Sequence, residues 1–497
     1  MGQMFEHREG LLGKTAESRG WVTRVCEAAR LVNQGAAAEL VAIGELFAYR
    51  LARGGEREDW AIDTMKAVAG EVAAGLKISQ GRAETKLRYA RAMRERLPQV
   101  AAVLCAGDID LEAFSTIVFR TDLIEDPQVL AVVDAKIAAR VTRWPSLSRG
   151  RLSQKVDAIV VNADADAVRR RKEAQTDREV WIGGESDGLS QIDGRLRSTD
   201  AQALDARLTA LAATVCPHDP RTAAQRRADA LGALAADATR LGCECGRSDC
   251  TAAGRKPSGP VVIQVIAEQA TLNGHADNPA YLLGGQDLIT PELLAELALC
   301  AKQVPLIHPG YAAPEPHYTP SQGLADFVRA RDLTCRWPGC DVPATRCDLD
   351  TIPYAQGGPT HAGNLKCYCR THHLMKTFWG WSEQQLADGT LILTSPGGDT
   401  HVTTPGSALL FPSLCHAVGG MPAPEAQTTP PADYCAERTA MMPTRRRTRT
   451  QDRAARVTAE RRANHQARTA TGSTTADHFA YADNHPPPHP NDDPPPF

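Results

Sequence analysis

Residues 335–376 read CRWPGCDVPATRCDLDTIPYAQGGPTHAGNLKCYCRTHHLMK, and the cysteines and histidines in this stretch give the most specific prediction of local fold in the chain. Cys335 and Cys340 bracket a turn-forming segment, and Cys369 and His372 follow downstream with two residues between them. Two close pairs of sulfur and imidazole ligands are typical of a tetrahedral zinc site. A module this small has a thin apolar core, so it needs a metal ion to stay folded. The sequence therefore predicts a structural Zn²⁺ ion bound by these four side chains.

Two other cysteines of the stretch, Cys347 and Cys367, lie close enough in sequence to compete as ligands. The chain has 14 cysteines, and its start, MGQMFEHREGLLGK, lacks the apolar segment of a secretory signal. We therefore expect a cytoplasmic protein, in which cysteines are metal ligands or buried thiols before they are disulfides. The alternative to zinc is a set of buried thiols without metal, and the paired spacing favours zinc.

The same stretch carries a second ordered set of residues between and around the ligand pairs. Asp350 ends a Cys-Asp-Leu-Asp run, Gly357-Gly358 and Asn364-Leu365 follow, and His373 and Lys376 close the set. Residues 324–381 resemble the HNH endonucleases, whose ββα-metal fold wraps a hairpin and a helix around one catalytic divalent cation. Over residues 21–418 the chain is similar to a largely mycobacterial repeat family with a helical domain of unknown function before an HNH module. Its hallmarks include 226–231 (RRADAL) and 364–378.

The resemblance implies a DNA endonuclease that hydrolyses phosphodiester bonds. Asp350 and His373 would hold the catalytic cation, Mg²⁺ or Mn²⁺, and Asn364 would support the loop between them. The two cysteine pairs would bind a separate structural zinc ion. A divalent cation between such ligands neutralises the charge that develops on a phosphodiester in its transition state.

One departure from the family pattern bears directly on activity. In the family a histidine that serves as general base directly follows the aspartate, whereas here Asp350 is followed by Thr351. Loss of a general base typically costs about 100- to 10,000-fold in rate. His361 is the nearest histidine that could substitute. The sequence therefore leaves open an active endonuclease, a degenerate zinc-stabilised DNA-binding protein, and a helical scaffold that self-associates as a homo-oligomer or binds partners.

Basic residues predict the contacts with DNA. Across residues 324–381, seven basic residues outnumber five acidic ones. The predicted contacts in this module are Arg329, Arg331, Lys366, Arg370 and Lys376. Residues 443–468 carry nine arginines against Asp452 and Glu460, so this segment either grips phosphates without sequence preference or only solubilises the chain.

The predicted fold class is α+β. From about residue 21 the chain is rich in Ala, Leu and Glu, which favours a helical bundle over a helix-turn-helix. Ser79 and Asp110 are predicted N-caps and Gly107 a helix end. A hairpin is predicted at 179–197 and a buried strand at 261–266.

Changes in composition divide the chain into segments. They are an N-terminal tail (1–20), a mainly helical domain with a small sheet (21–303), a Pro-rich linker (304–323), a small zinc-stabilised ββα-metal (HNH) module (324–385), an appended β-hairpin (386–418) and a disordered tail rich in Arg and Pro (419–497). The net charge is −3, and no uninterrupted apolar run is long enough for a membrane span, so no membrane association is expected.

A second group of cysteines lies in the helical domain. Cys243, Cys245 and Cys250 occur in LGCECGRSDC, which supplies three ligands. A zinc site here would need a fourth, from Cys216 or His218. A thiol-rich loop without metal is the alternative that the sequence leaves open.

Overall fold

The structure, a computed structural model, describes residues 15–144, 148–168, 178–184, 189–252, 263–285, 287–299, 301–351, 358–420 and 442–480. These residues form two compact units. The first contains the described residues up to 168, together with 377–380 and 442–480, and the second contains the rest.

The first unit is helical, as predicted. Its N-terminal helices are α1 (Ala16–Gly54), α2 (Thr64–Leu76), α3 (Gln80–Arg91), α4 (Pro98–Cys105), α5 (Leu111–Arg120), α6 (Pro127–Val141) and α7 (Arg149–Ala163). They enclose a shared apolar core in which Leu87, Leu104, Phe114, Ile117 and Val133 are fully buried. Burial of one large apolar side chain contributes about 1.5–3 kcal/mol, so this core accounts for the bundle.

Local signals in the sequence set several of these helix ends. The side chain of Ser79 accepts a hydrogen bond from Arg82 N at 3.4 Å, and that of Asp110 accepts one from Ala113 N at 2.7 Å, which confirms both predicted N-caps. Gly107 has φ +82°, and a Cβ there would lie 2.6 Å from Arg30 Cγ. Only glycine tolerates both the conformation and the close approach.

A C-terminal helix, Arg449–Ala480, belongs to the first unit. Val457 is fully buried in the bundle core, and Arg449 and Arg461 pair with Asp63 and Asp164, each at 2.7 Å. The prediction of a disordered tail is therefore wrong for residues 442–469. Disorder was inferred from composition, which does not reveal that carboxylates far away in sequence neutralise the arginines. Residues 421–441 and 481–497 lie outside the described residues.

The second unit begins with the predicted hairpin. Strands β1 (Glu179–Gly184) and β2 (Ser190–Arg195) pair antiparallel with Ile182 opposite Ile192. Residues 185–188, between the two strands, lie outside the described residues. Helices α8 (Ser198–Ala212) and α9 (Ala223–Ala235) follow.

A small three-stranded sheet comes next in the chain. Its strands are β3 (Val265–Ile266), β4 (Ala280–Leu282) and β5 (Leu288–Ile289), with helices α10 (Gln269–Leu272) and α11 (Pro291–Ala298). The prediction of one buried strand at 261–266 is wrong at Ile263, which is 72% exposed and precedes β3. Residues 261–262 lie outside the described residues. The run of β-branched residues is apolar enough to predict a buried strand, but among its described residues only Val265 and Ile266 belong to β3, and both are half-buried.

The region around the cysteine pairs is a helix, a hairpin and a second helix. Helix α12 (Gln322–Asp332) precedes β6 (Cys347–Asp350) and β7 (Lys366–Cys369), which pair antiparallel, and α13 (Arg370–Phe378) follows directly. Cys347 lies opposite Cys369, and Asp350 lies opposite Lys366. This register sets the cysteines at one end of the hairpin and Asp350 at the other.

A further sheet follows the helix. Its strands are β8 (Ser382–Gln385), β9 (Leu391–Thr394) and β10 (Thr400–Thr403), with β9 in the middle. The pairing of β9 with β10 confirms the predicted hairpin, and β8 adds a strand that was not predicted. Helices with small sheets thus confirm an α+β fold. Among the described residues, no helix combines the length and apolar character that a membrane span requires.

Candidate metal centre

The four side chains predicted as zinc ligands come together in the second unit. One ligand atom from each of Cys335, Cys340, Cys369 and His372 lies within 4.8 Å of the others. Cys335 follows α12, Cys340 ends a turn in which Gly339 has φ +73°, Cys369 ends β7, and His372 lies in the first turn of α13. The hairpin and the helix therefore bring together two pairs that are distant in sequence.

The geometry assigns Nδ1 of His372 as the donor atom. It lies 3.3 Å from Cys369 Sγ and 3.5 Å from Cys335 Sγ. The imidazole is 2% exposed and stacks on Trp337 with ring centroids 4.7 Å apart and planes 2° apart. Three sulfurs and one nitrogen in a buried, closed arrangement suit zinc, so this group could hold such an ion.

Without a cation, the thiols compete for protons. Burial raises the pKa of the Cys335 thiol, and hydrogen bonds with Cys335 and Cys369 raise that of Cys340. Hydrogen bonds from Cys335 and Cys340 lower the pKa of Cys369 instead. A divalent cation would supply the positive charge that several thiolates at this spacing require.

The two competing cysteines lie outside the quartet. Cys347 Sγ approaches the carbonyl oxygen of Pro343 at 3.4 Å. Cys367 is fully buried, and its backbone N–H donates to Asp332 Oδ2 at 2.8 Å. Of the six cysteine and histidine candidates in the zinc prediction, the structure brings together the four that spacing favoured.

A buried ion cluster around Asp332 fixes this arrangement. Asp332 Oδ1 accepts from Arg331 Nε at 2.9 Å and from Arg336 Nη1 at 3.1 Å, and all three side chains are at most 2% exposed. Together with the bond from Cys367, these contacts join the end of α12 to β7 and to the turn between the first two cysteines. The sequence does not predict this role of Asp332, because the charged residues of α12 follow the pattern of an ordinary solvated helix.

The acidic end of the hairpin faces α13. Asp350 Oδ1 lies 3.2 Å from His373 Nε2, and His373 Nδ1 lies 3.0 Å from Asp348 Oδ2. Burial raises the pKa of Asp350, but the hydrogen bond from His373 and the charges of Lys366 and Lys376 outweigh it and lower the pKa to about 2. Burial lowers the pKa of His373, and its contacts with Asp350 and Asp348 raise it overall. An ionised carboxylate and an imidazole therefore converge here.

Two lysines and a glutamate complete this charged cluster. Lys376 Nζ bonds to Asp350 Oδ2 and lies 3.1 Å from Glu383 Oε1. Lys366 Nζ reaches the same Glu383 oxygen at 2.8 Å, and the Tyr368 hydroxyl donates to Glu383 Oε2 at 2.8 Å. Glu383 and Tyr368 were not predicted as part of the site, and no spacing signal points to them.

This pairing corrects three of the predicted DNA contacts. Arg331 and Lys366 are 2% and 0% exposed, and the side chain of Lys376 is 9% exposed. Buried cations that carboxylates already neutralise cannot contact a phosphate backbone. Arg370 has a side chain that is 64% exposed, 3.3 Å from Asp348, and Arg329 is partly exposed on α12, so these two remain predicted contacts.

The remaining predicted residues lie in the loop before β7. Asn364 Nδ2 donates to the carbonyl oxygen of Pro359 at 2.8 Å, so the buried asparagine ties the loop to itself. His361 is 2% exposed; its Nε2 lies 3.1 Å from Ala312 O, and its Nδ1 accepts from Gly363 N. His361 is therefore not available as a substitute base. Residues 352–357, including the predicted Gly357, lie outside the described residues.

Comparison with known families matches residues 27–332 to a family described as "Domain of unknown function (DUF222)". The chain belongs to this family. It is 41% identical over 485 residues to "Uncharacterized protein Rv2100" of Mycobacterium tuberculosis, covering 89% of this chain and 87% of the relative. It is 42% identical over 477 residues to "Uncharacterized protein Rv3776" of the same organism, covering 90% of each. No solved structure matches the chain.

Proposed function

We propose that this protein is a DNA endonuclease of the HNH type. The observation that carries the proposal is the hairpin β6–β7 followed by α13, which sets Asp350 Oδ1 3.2 Å from His373 Nε2. The sequence order of the aspartate, the asparagine, the second ligand pair and the final histidine supports the same assignment. The family match ends at residue 332 and leaves this region uncovered.

The cysteine quartet would hold a structural zinc ion. Four protein donors leave no open coordination position, so the ion would stabilise the fold and take no part in chemistry. It would connect the turn after α12 to the first turn of α13. His373, next to the ligand His372, would thereby be held in place.

Asp350 and His373 fit a catalytic divalent cation, Mg²⁺ or Mn²⁺. Asp348 accepts from His373 Nδ1, which orients the ring and leaves Nε2 facing Asp350. Such cations are held by few protein groups, with water and substrate phosphate completing the shell, which a two-residue site allows. When bound, the cation would neutralise a phosphate oxygen and stabilise the leaving oxygen. The hydrogen bond from His373 and the charges of Lys366 and Lys376 lower the pKa of Asp350, and the exposed Arg370 could contact a backbone phosphate.

The proposed site lacks a histidine that could accept the proton of the attacking water. No histidine directly follows Asp350 in the sequence, and both ring nitrogens of His361 are engaged. We expect hydrolysis to be slower by about 100- to 10,000-fold than in a site with that histidine. The test inserts a histidine between Asp350 and Thr351.

The experiment measures nicking of supercoiled plasmid in Mg²⁺ and in Mn²⁺. We expect slow nicking by the natural chain, loss of nicking in His373→Ala, and a gain of at least about 100-fold in the insertion variant. His275→Ala is the matched control, because His275 is exposed in a loop away from the site. Intact plasmid with both the natural chain and the insertion variant would contradict the proposal.

A second candidate function is DNA binding without cleavage. It is favoured by the Lys376 ammonium, which bonds to the second oxygen of Asp350 and already neutralises the charge of this carboxylate. This candidate predicts salt-sensitive DNA binding, no nicking by the natural chain, and nicking only after the insertion. Nicking by the natural chain that depends on His373 would exclude it.

A third candidate, self-association, is favoured by the first half of α1. Among the described residues, five large apolar side chains there are 57–71% exposed. They are Trp21, Val22, Val25, Leu31 and Val32. Contiguous exposed apolar surface marks an interaction site. Light scattering of the natural chain should give a mass above that of one chain. The double variant Val25→Glu/Leu31→Glu should have a lower mass, whereas the control Val402→Glu, at a similarly exposed position on β10, should keep the mass of the natural chain. A monomeric natural chain would exclude this candidate.

A further inference from the structure

A second group of four cysteines lies in the second unit, apart from the quartet described above. The sulfurs of Cys216, Cys243, Cys245 and Cys250 lie within 4.8 Å of one another. Cys216 Sγ and Cys243 Sγ are 3.5 Å apart, and hydrogen bonds link the Cys216 thiol to the other three. Cys216 follows α8, and the other three lie in the segment after α9, so separate parts of the chain meet here.

Charged contacts hold the two parts together independently of the sulfurs. Arg221 Nη2 donates to Asp219 Oδ2 at 2.8 Å and to Gly242 O at 2.7 Å. The backbone N–H of Glu244 donates to the same oxygen of Asp219 at 3.0 Å. The segment just after Cys216 is therefore fixed against the residues on both sides of Cys243.

The backbone also turns around the sulfurs. The N–H of His218 donates to Cys216 Sγ, which leaves the sulfur facing its three neighbours. Gly246 has φ +68°, which lets the chain turn between Cys245 and Cys250. Cys250 N donates to Arg247 O at 3.3 Å and closes this turn. One short turn thus supplies the sulfur of Cys216 and the other segment supplies the remaining three. Turns that bring four sulfurs to one point are typical of structural zinc sites.

The surrounding structure has little apolar core of its own. Helix α8 buries only Leu211 and Ala212, and α9 buries only Ala230 and Ala233. Segments with so little buried apolar surface need another source of stability, such as a metal ion.

We propose that Cys216, Cys243, Cys245 and Cys250 bind a second zinc ion in a closed, tetrahedral Cys₄ site. Each thiol would release its proton to solvent as the Zn–S bond forms, and no oxidant is required. With four protein ligands the site has no open position, so its role is structural. His218, the other fourth ligand that the sequence allows, is not among the converging side chains. This inference is independent of the proposed endonuclease activity.

The test is the zinc content of the full-length chain, purified without chelator and measured by plasma mass spectrometry. We expect two zinc ions per natural chain, one in Cys245→Ser, one in Cys340→Ser, and none in the double variant. Cys105→Ser, an exposed cysteine outside both groups, is the control and should retain two. A natural chain with one zinc ion that Cys245→Ser leaves unchanged would overturn the proposal.

Two further measurements cover a serine variant that does not fold. The Cys245→His variant should still bind two metal ions. After substitution with Co²⁺, the absorption spectrum of the natural chain should contain the contribution of an all-sulfur site, and in the variant this contribution should be replaced by that of a second sulfur–nitrogen site. Intact mass without reductant distinguishes zinc from disulfides. A natural chain that is lighter by four hydrogen atoms, and that yields disulfide-linked peptides containing these four cysteines, would have formed two disulfides by oxidation, which would exclude the zinc site.

Discussion

His373 Nδ1 lies 3.0 Å from Asp348 Oδ2, and this contact turns the other ring nitrogen toward Asp350. In the proposed endonuclease Asp348 would therefore be a positioning residue, which orients His373 and does not itself contact the cation. Loss of such a partner typically weakens metal affinity about 10- to 100-fold. We expect Asp348→Asn to weaken Mn²⁺ binding by this factor in calorimetry, while zinc content stays unchanged. Asp277→Asn, in an exposed loop, is the control; equal affinities in both variants would refute this role.

Asp332 is the second residue whose role follows from its partners. Its removal leaves Arg331 and Arg336 buried without a counter-ion, which typically costs about 3–5 kcal/mol. We expect Asp332→Ala to lower the free energy of unfolding of the second unit by about this amount in urea denaturation with zinc present. Asp326→Ala, on the same helix but partly exposed, should change it by less than about 1 kcal/mol. Similar values for the two variants would contradict the burial argument.

The C-terminal helix should respond to acid through Asp122. Burial raises the pKa of Asp122, but hydrogen bonds and charges from Arg453, Arg96 and Arg456 outweigh it and leave the pKa below the ordinary 3.8. The stabilisation is therefore fully present above pH 3.8 and is lost as the pH falls through the lowered value.

Hydrogen exchange of this helix provides the measurement. The protection of the backbone amides of residues 449–457 should decrease in that acid range. It should also decrease at high salt, because the ion pairs of Asp122 with Arg453 and Arg456 are partly exposed. Asp122→Asn should already show the low protection near neutral pH. If protection in the variant equals that of the natural chain at neutral pH, the ion pairs do not hold the helix.

Zinc removal should unfold one region selectively. We expect chelation to abolish hydrogen-exchange protection across β7 and α13, because the zinc ion proposed for Cys335, Cys340, Cys369 and His372 would join them. Helices α4 to α6, whose core contains no cysteine ligand, should keep their protection. Unchanged protection of β7 after complete metal removal would show that the quartet has no structural role.

The parts of this structure that sequence predicts are those set by local spacing. The paired ligands around Cys335 and Cys369, and the N-caps Ser79 and Asp110, depend on residues a few positions apart. The parts that it missed depend on partners distant in sequence. Lys366 is predicted to contact DNA because its partner Glu383 gives no signal in the sequence. The C-terminal arginines are predicted to lie in a disordered tail because their partners Asp63 and Asp164 lie far upstream.

His372 and His373 are neighbours in the first turn of α13, and consecutive side chains on a helix point about 100° apart. One ring therefore faces the sulfurs while the next faces Asp350. A one-residue insertion or deletion within this turn would disrupt both pockets at once. The position directly after Asp350, where the HNH resemblance places a general base, follows the end of β6 and lies at the opposite end of the hairpin from Cys347 and Cys369. We therefore expect a histidine inserted there to alter the proposed chemistry and to leave the cysteine quartet in place.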